Sequence, residues 1–241
     1  MAALEARHLA DLRVPEATRA LRALSSAYVE RRQALARGAA LDTAGKRAAF
    51  ALVYAPLHFL VAAHVVRALG APVPRAIVDL GCGSGAAGAA WALGADPPAR
   101  LTGIDRHPWA VEETGWSWRQ LGIAGHARRG DVSRFRPPKD RPGIVAAYVL
   151  NELPDAPRGQ LLDTLLEAAA LGSPVLILEP IARGVAPWWE AARARIEAAG
   201  GRADEWAIAP ELPPITAKLG RAAGLDHREV KARSLFIARS R

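Results

Sequence analysis

The stretch Ile77-Val-Asp-Leu-Gly-Cys-Gly-Ser-Gly-Ala-Ala-Gly88 limits the possible folds of this chain more than any other. An apolar run, Ile77 to Leu80, reads as a short buried strand, and it breaks at once into Gly81, Gly83, Gly85 and Gly88. Glycine turns a chain tightly and lets backbone approach a neighbour where a Cβ would intrude. A turn of this kind leads from a strand into a helix, and in open parallel sheets ligands bind beyond the carboxyl ends of the strands. A plain strand-to-helix turn is the simpler reading of the same glycines.

The surrounding pattern supports an α/β sheet. After "AIVDL" come a helical "GAAGAAWALG", a strand "LTGID", a helix "PWAVEETGWSWRQLG" and a short edge strand in "GHARRGDV". "GIVAAYVL", "APRGQLLDTLLEAAALG" and "PVLILEP" then read as strand, helix and strand. Such alternation predicts a doubly wound, mostly parallel sheet with helices on both faces. In the tail, "HREVKARS" and "SLFIARS" read as two more strands, a closing antiparallel pair, after a helix around Pro214 to Ala223; the total is seven strands. Two long helical patterns precede the sheet. One runs from Val14 to a stop at Gly38; the other starts near Thr43, kinks near Pro56 and stops at Gly70. With "APVP" (Ala71 to Pro74) as linker, the expected organisation is a helical cap over residues 1–72 and an α/β domain over 73–241.

The glycine turn suits two ligand classes. Gly83 to Gly88 satisfies the dinucleotide pattern G-x-G-x-x-G. A pyrophosphate wants backbone N–H groups at a helix start, without a carboxylate nearby. Asp79, two residues before the first glycine, suits a cation instead, such as the amino group of a methionine moiety. Asp105 ends the next strand about 20 residues on, where a carboxylate grips a ribose diol. A ribose is common to both classes, so the acid ahead of the glycines discriminates.

"VDLGCGSG", followed by "GID" at the end of the next strand, resembles the first two motifs of class I S-adenosylmethionine-dependent methyltransferases. The resemblance implies a Rossmann-like methyltransferase fold over Ala76 to Ala238 and S-adenosyl-L-methionine as cofactor. It implies that Asp79, Gly81, Cys82, Gly83 and Gly85 line the methionine portion, Asp79 facing its ammonium directly or through water. Asp105 would hold the ribose hydroxyls and Arg106 flank the adenine. "RGDV" resembles the third motif, with Asp131 accepting from the adenine amino group and Val132 packing on the ring; a turn acid is the simpler reading of Asp131.

Methyl transfer is a direct displacement, so the protein aligns the nucleophile, excludes water and accepts a proton where needed. The acceptor belongs beyond the fourth strand, at "YVLNELPD". Tyr148, Asn151 and Glu152 are the catalytic candidates there: an Asn carbonyl accepts from an amine, and Glu152 orients it or takes a proton. Alternatively, Asn151 and Glu152 only cap the helix near Asp155. Methylation at a pyrimidine carbon needs a cysteine nucleophile, and the single cysteine, Cys82, lies inside the glycine turn. Tyr54 and His58 would roof the site or pack within a buried helix. Trp188 and Trp189 would stack on a base or pack in the core, and packing is favoured.

The net charge of +8 invites a polyanion. Arg128, Arg129, Arg134, Arg136, Lys139 and Arg141 crowd the region beside the adenine side, as a phosphate track or as a solvated loop. The lysines are only Lys46, Lys139, Lys218 and Lys231, so an arginine-rich coding bias accounts equally for the charge. "RALSSAYVERR", "RAAFALVYAPLHFLVAAHVVRALG" and "YVLNELPD" resemble the methyltransferase-like family of the mitochondrial ribosomal small subunit and its bacterial relatives, which implies a ribosomal RNA context. The chain departs from it in "VYAPLHF" and in lacking a cysteine cluster. No stretch reaches the ~18 uncharged apolar residues of a membrane span, no leader pattern opens the chain, and no histidine spacing suggests a metal. The expectation is therefore a cytoplasmic S-adenosylmethionine-dependent methyltransferase acting on RNA, ribosomal RNA favoured, at nitrogen or oxygen. A small-molecule methyltransferase, a non-catalytic ribosome-assembly factor keeping the cofactor fold, and an NAD-dependent oxidoreductase are the alternatives.

Overall fold

The computed structural model describes residues 1–30, 41–181 and 187–238, which fall into two compact units. One comprises Met1–Val61 with Ala209–Val230; the other comprises Ala62–Ile208 with the chain from Lys231 onward. The division falls between Val61 and Ala62, and the first unit takes in a late excursion of the chain. The expected helix stop at Gly38 lies outside the described residues.

The larger unit is built on a seven-stranded sheet: β1 (Ala76–Leu80), β2 (Arg100–Asp105), β3 (Gly125–Arg129), β4 (Gly143–Ala147), β5 (Val175–Pro180), β6 (Arg202–Ile208) and β7 (Val230–Ile237). Its order is β3-β2-β1-β4-β5-β7-β6. β1 to β5 pair in parallel and β7 runs antiparallel to β5. Between the strands lie α5 (Ala86–Ala92), α6 (Pro108–Gln120), α7 (Asp155–Ala170) and α8 (Pro187–Ala198). β1, β4 and β5 are largely apolar and buried almost throughout, as strands covered on both faces must be. Leu80, Ile144, Leu161, Leu165, Ile177 and Leu235 are among the residues of one continuous core. Register pairs Asp79 with Gly103 and with Val145, so the carboxyl ends of β1, β2 and β4 share one edge. The strand order reverses between β1 and β4, which makes that edge the switch point.

Two expectations need correction. The tail holds one unbroken strand, β7, rather than the expected two, and its sheet neighbour β6 comes from "RADEWAI", a stretch with no strand pattern of its own. Asp204 and Glu205 disguise β6 because it is an outer strand with a wet face; its Trp206 Nε1–H donates to Ser234 Oγ on β7 at 2.9 Å. "GIVAAYVL" ends as a strand at Ala147, because Tyr148 takes a left-handed φ of 59°, a conformation rare outside glycine. β3 lies at the opposite edge of the sheet with Arg128 and Arg129 exposed, charges that discourage strand addition.

The smaller unit packs α1 (Ala2–His8), α2 (Val14–Glu30) and α3 (Ala44–Ala49) with α9 (Pro214–Ala223). A π-helical turn, Phe50–Tyr54, joins α3 to α4 (Ala55–Ala68). Its cause is Pro56, which lacks the N–H that would bond the Leu52 carbonyl. The orphaned carbonyl is met from elsewhere in the unit, by the buried Thr216 Oγ1–H at 2.6 Å. Thr216→Val should therefore leave a buried acceptor unmet and lower unfolding free energy by about 1–3 kcal/mol in urea titrations; an unchanged midpoint would refute this. The continuous helix Ala44–Ala68 is long and apolar enough by composition to cross a membrane, but 67% of its most apolar window is buried in the protein.

Candidate functional site

The glycine turn is held from below. Gly81, Gly83 and Gly85 have φ values of 65°, 56° and 76°, so each needs glycine's freedom. A Cβ at Gly81 would lie 2.5 Å from Val149 Cγ2, and one at Gly88 would lie 2.7 Å from Asp79 Oδ2. At Gly85 it would run into the Trp118 indole and Thr114. The glycines therefore admit protein neighbours as well as any ligand. From α6, Thr114 Oγ1–H donates to the Gly83 carbonyl at 3.0 Å and Trp118 Nε1–H to the Gly85 carbonyl at 2.9 Å. Neither residue carries a local sequence signal for this role.

Asp79 is 1% exposed and sits beneath the turn, its Oδ2 accepting the Gly88 N–H at 3.0 Å. Burial pushes its carboxyl up to about 7, with Asp105 adding to the rise and the Gly88 bond opposing it. Asp105 ties two loops together: Oδ2 accepts the Gly83 N–H at 2.9 Å and Oδ1 the His107 N–H at 2.8 Å. Cys82 turns inward, its Sγ 3.4 Å from Thr114 Oγ1, and burial drives its thiol up. The Cys82 side chain thus belongs to the core beside β2, and only its backbone belongs to the turn.

Arg106 is exposed, with Nη2 3.5 Å from Glu152 Oε2. The ends of β2 and β4 thereby meet across the switch point. Burial pushes Glu152 up to about 7 against the pull of Arg106. Asp131 is an exposed acid at the start of the Val132–Arg134 turn, its Oδ1 accepting both the Ser133 N–H at 2.9 Å and the Ser133 Oγ–H at 2.8 Å. Those bonds hold its carboxyl below the usual range. Val132 is buried in the core of the sheet unit.

Beyond β4 a closed network appears. Asn151 donates from its backbone N–H to Glu179 Oε1 at 3.2 Å and from Nδ2 to Glu179 Oε2 at 2.7 Å. Its carbonyl accepts the Trp188 indole N–H at 3.0 Å. Asn151 does not cap α7, whose N-cap is Pro154. Glu179 is fully buried at the end of β5, and burial raises its carboxyl to about 8 despite the bonds from Asn151 and the Leu150 backbone. Burial and then Glu179 raise the Tyr148 hydroxyl. The sequence did carry a signal for Glu179: "LILEP" ends an apolar strand in an acid, as "IVDL" and "TGID" do. Trp188 stacks edge-on against Trp189 at 5.5 Å, and Arg233 covers Trp189 at 4.1 Å. Tyr54 and His58 lie with Phe50 in an aromatic cluster on one helical stretch.

A cleft of about 510 Å³ lies elsewhere, at the amino-terminal halves of β1 to β3, beside Val78, Arg100, Thr102 and His126. Arg128, Arg129, Arg134, Arg136, Lys139 and Arg141 are all exposed. Among the described residues no cluster of three His, Cys, Asp or Glu side chains is placed to hold a metal.

No protein-family model and no curated protein matches the sequence. Solved structures do resemble it. An S-adenosylmethionine-dependent methyltransferase from Aquifex aeolicus is 15% identical, with a TM-score of 0.50 over 76% of this chain and 93% of that one. The methyltransferase domain of bacterial CtHen1 is 14% identical, with a TM-score of 0.52 over 76% of this chain and all (100%) of that domain. A magnesium protoporphyrin IX methyltransferase from Synechocystis, solved with bound S-adenosylmethionine, is 14% identical, with a TM-score of 0.50 over 77% and 80% of the two chains. The sheet unit has the Rossmann-like methyltransferase fold.

Proposed function

We propose that the chain is an S-adenosylmethionine-dependent methyltransferase acting on RNA, ribosomal RNA first, at a nitrogen or oxygen atom. The observation that carries the cofactor assignment is the sheet order, β3-β2-β1-β4-β5-β7-β6 with β7 antiparallel. Dinucleotide-binding sheets run 3-2-1-4-5-6 instead. At its switch point the turn residues fit the cofactor's chemistry. Asp79 lies under a cradle of backbone for an amino-acid group, and Asp105 stands at the end of β2 for a diol. Asp79 acts from beneath the turn, by its charge and by fixing Gly88, and Gly81, Gly83 and Gly85 supply the cradle's surface. Bound there, S-adenosylmethionine would supply a sulfonium methyl group.

The chain's own part is to position and to move a proton. Glu152, pushed up to about 7 beside Arg106, is suited to take a proton from the acceptor near neutral pH. With the Cys82 thiol buried against Thr114, attack on a pyrimidine carbon has no nucleophile. The RNA assignment is supported by the exposed cations from Arg128 to Arg141 and by the sequence resemblance of "YVLNELPD" to the ribosomal family.

Calorimetry with S-adenosylhomocysteine and with NADH tests the cofactor. Binding of the first alone is expected, and binding of NADH alone would overturn the reading. Transfer of labelled methyl groups to transcribed small-subunit ribosomal RNA tests the acceptor. RNA affinity should fall steeply with salt, because neutralised phosphates release counterions. A flat salt series would favour a small-molecule acceptor, and RNA binding without transfer would favour an assembly factor.

A further inference from the structure

We propose that Glu179 is a positioning residue which, through Asn151, fixes the loop after β4 against the glycine turn. This rests on the cofactor assignment above and assigns Asn151 a different task from the one its place in the sequence suggests. Both polar groups of the Asn151 side chain are engaged: Nδ2 with Glu179 at 2.7 Å and Oδ1 with the Trp188 indole at 3.0 Å. The backbone N–H of Asn151 goes to the other Glu179 oxygen at 3.2 Å. One buried carboxyl group thus grips the same residue by main chain and side chain, which fixes both where the loop runs and how the amide is turned.

The loop so held meets the turn at two points. Two residues before Asn151, Val149 lies so close to Gly81 that a Cβ there would come within 2.5 Å of its Cγ2. One residue after it, Glu152 faces Arg106 at 3.5 Å. Tyr148, at the start of the loop, holds a left-handed φ of 59°, which persists only where surrounding structure imposes it. Glu179 therefore acts on the cofactor side through Val149 and on the acceptor side through Glu152, while Asn151, with both side-chain groups engaged, carries the restraint. The charged and titratable groups around Glu179 are Glu152 and Tyr148 on the β4 loop and Arg233, directly across on β7.

Glu179→Gln tests the grip with little change of shape. The new Nε2 would face Asn151 Nδ2, donor against donor, while Oε1 still accepts the backbone N–H. In the double variant Glu179→Gln with Asn151→Asp the roles exchange: Gln Nε2–H donates to the Asp carboxylate, which still accepts the Trp188 indole. Calorimetric affinity for S-adenosylhomocysteine should fall roughly tenfold in Glu179→Gln and recover to within about threefold of native in the double variant. The indole resonance of Trp188, identified by its loss in Trp188→Phe, should move in the single variant and return in the double. Native-like affinity in Glu179→Gln, or a double variant no better than the single, would overturn the proposal. Failure of the native protein to bind S-adenosylhomocysteine would overturn the cofactor assignment instead. Positioning would then be read from amide exchange at Asn151: faster exchange in Glu179→Gln upholds the restraint, and unchanged exchange refutes it.

Discussion

Asp79→Asn should weaken S-adenosylhomocysteine binding at least a hundredfold at pH 8, a loss of about 2.7 kcal/mol or more, while leaving the fold nearly as stable. The substitution separates two roles of one carboxylate. An amide oxygen still accepts the Gly88 N–H that Asp79 now holds at 3.0 Å, so the start of α5 stays tied to β1. What disappears is the negative charge beneath the cradle, and in a site 1% exposed that charge is poorly screened. Asp79→Ala loses both roles and should be destabilised as well as unable to bind. Native affinity in Asp79→Asn would mean that no cation sits over the turn.

The same carboxyl gives the binding a pH dependence of known sign. Its folded-state value of about 7 lies above the ordinary carboxylate range. In the unliganded chain Asp79 therefore keeps its proton up to neutrality, and a bound ammonium group favours the ionised form. Binding below pH 7 must then release a proton, so log affinity should rise by up to about one unit per pH unit and level off above 7. Asp79→Asn should flatten that limb. For stability of the unliganded fold the sign is opposite. The raised value favours the folded state fully below pH ~4, and that contribution is lost as pH rises through about 7.

How much of this was legible depended on the range of the interactions. β1 and its glycine turn were readable because the signal is local: an apolar run, an acid and glycines in conformations other residues avoid. Asp105 stands at the end of β2 by the same local logic, whereas Glu152 lies in the Leu150–Glu152 turn, five residues beyond the end of β4. Glu179 had equal local credentials in "LILEP", but its importance lies in bonds to Asn151, 28 residues away. β6 failed because an outer strand with a wet face carries little hydrophobic pattern. Thr216 was invisible as the partner of Leu52, since a missing proline N–H predicts an orphan carbonyl without saying what meets it. "GWSWRQ" offered two tryptophans on one helix and no way to tell which one reaches under the turn.

Trp118→Ala should cost about 3–5 kcal/mol of unfolding free energy, the largest stability loss of any substitution considered. Trp118 is 1% exposed, and its ring fills space that three glycines leave open. A Cβ at Gly85 would come 2.8 Å from its Cε2, one at Gly103 3.0 Å from its Cη2, and one at Gly125 2.9 Å from its Cε3. Truncating the indole therefore opens a cavity walled by residues with no side chains to move into it, which places the cost at the high end of such series. Trp118→Phe keeps much of the filling and loses the 2.9 Å bond to the Gly85 carbonyl, so it should cost nearer 1–2 kcal/mol. Both losses also free the third glycine of the turn, so cofactor affinity should fall in Trp118→Phe even at temperatures where the variant is fully folded. Urea titration with calorimetry on the same samples separates the two effects. A Trp118→Phe protein that binds S-adenosylhomocysteine as tightly as native would show that the turn keeps its shape without the bond from Trp118, and that the indole serves the core alone.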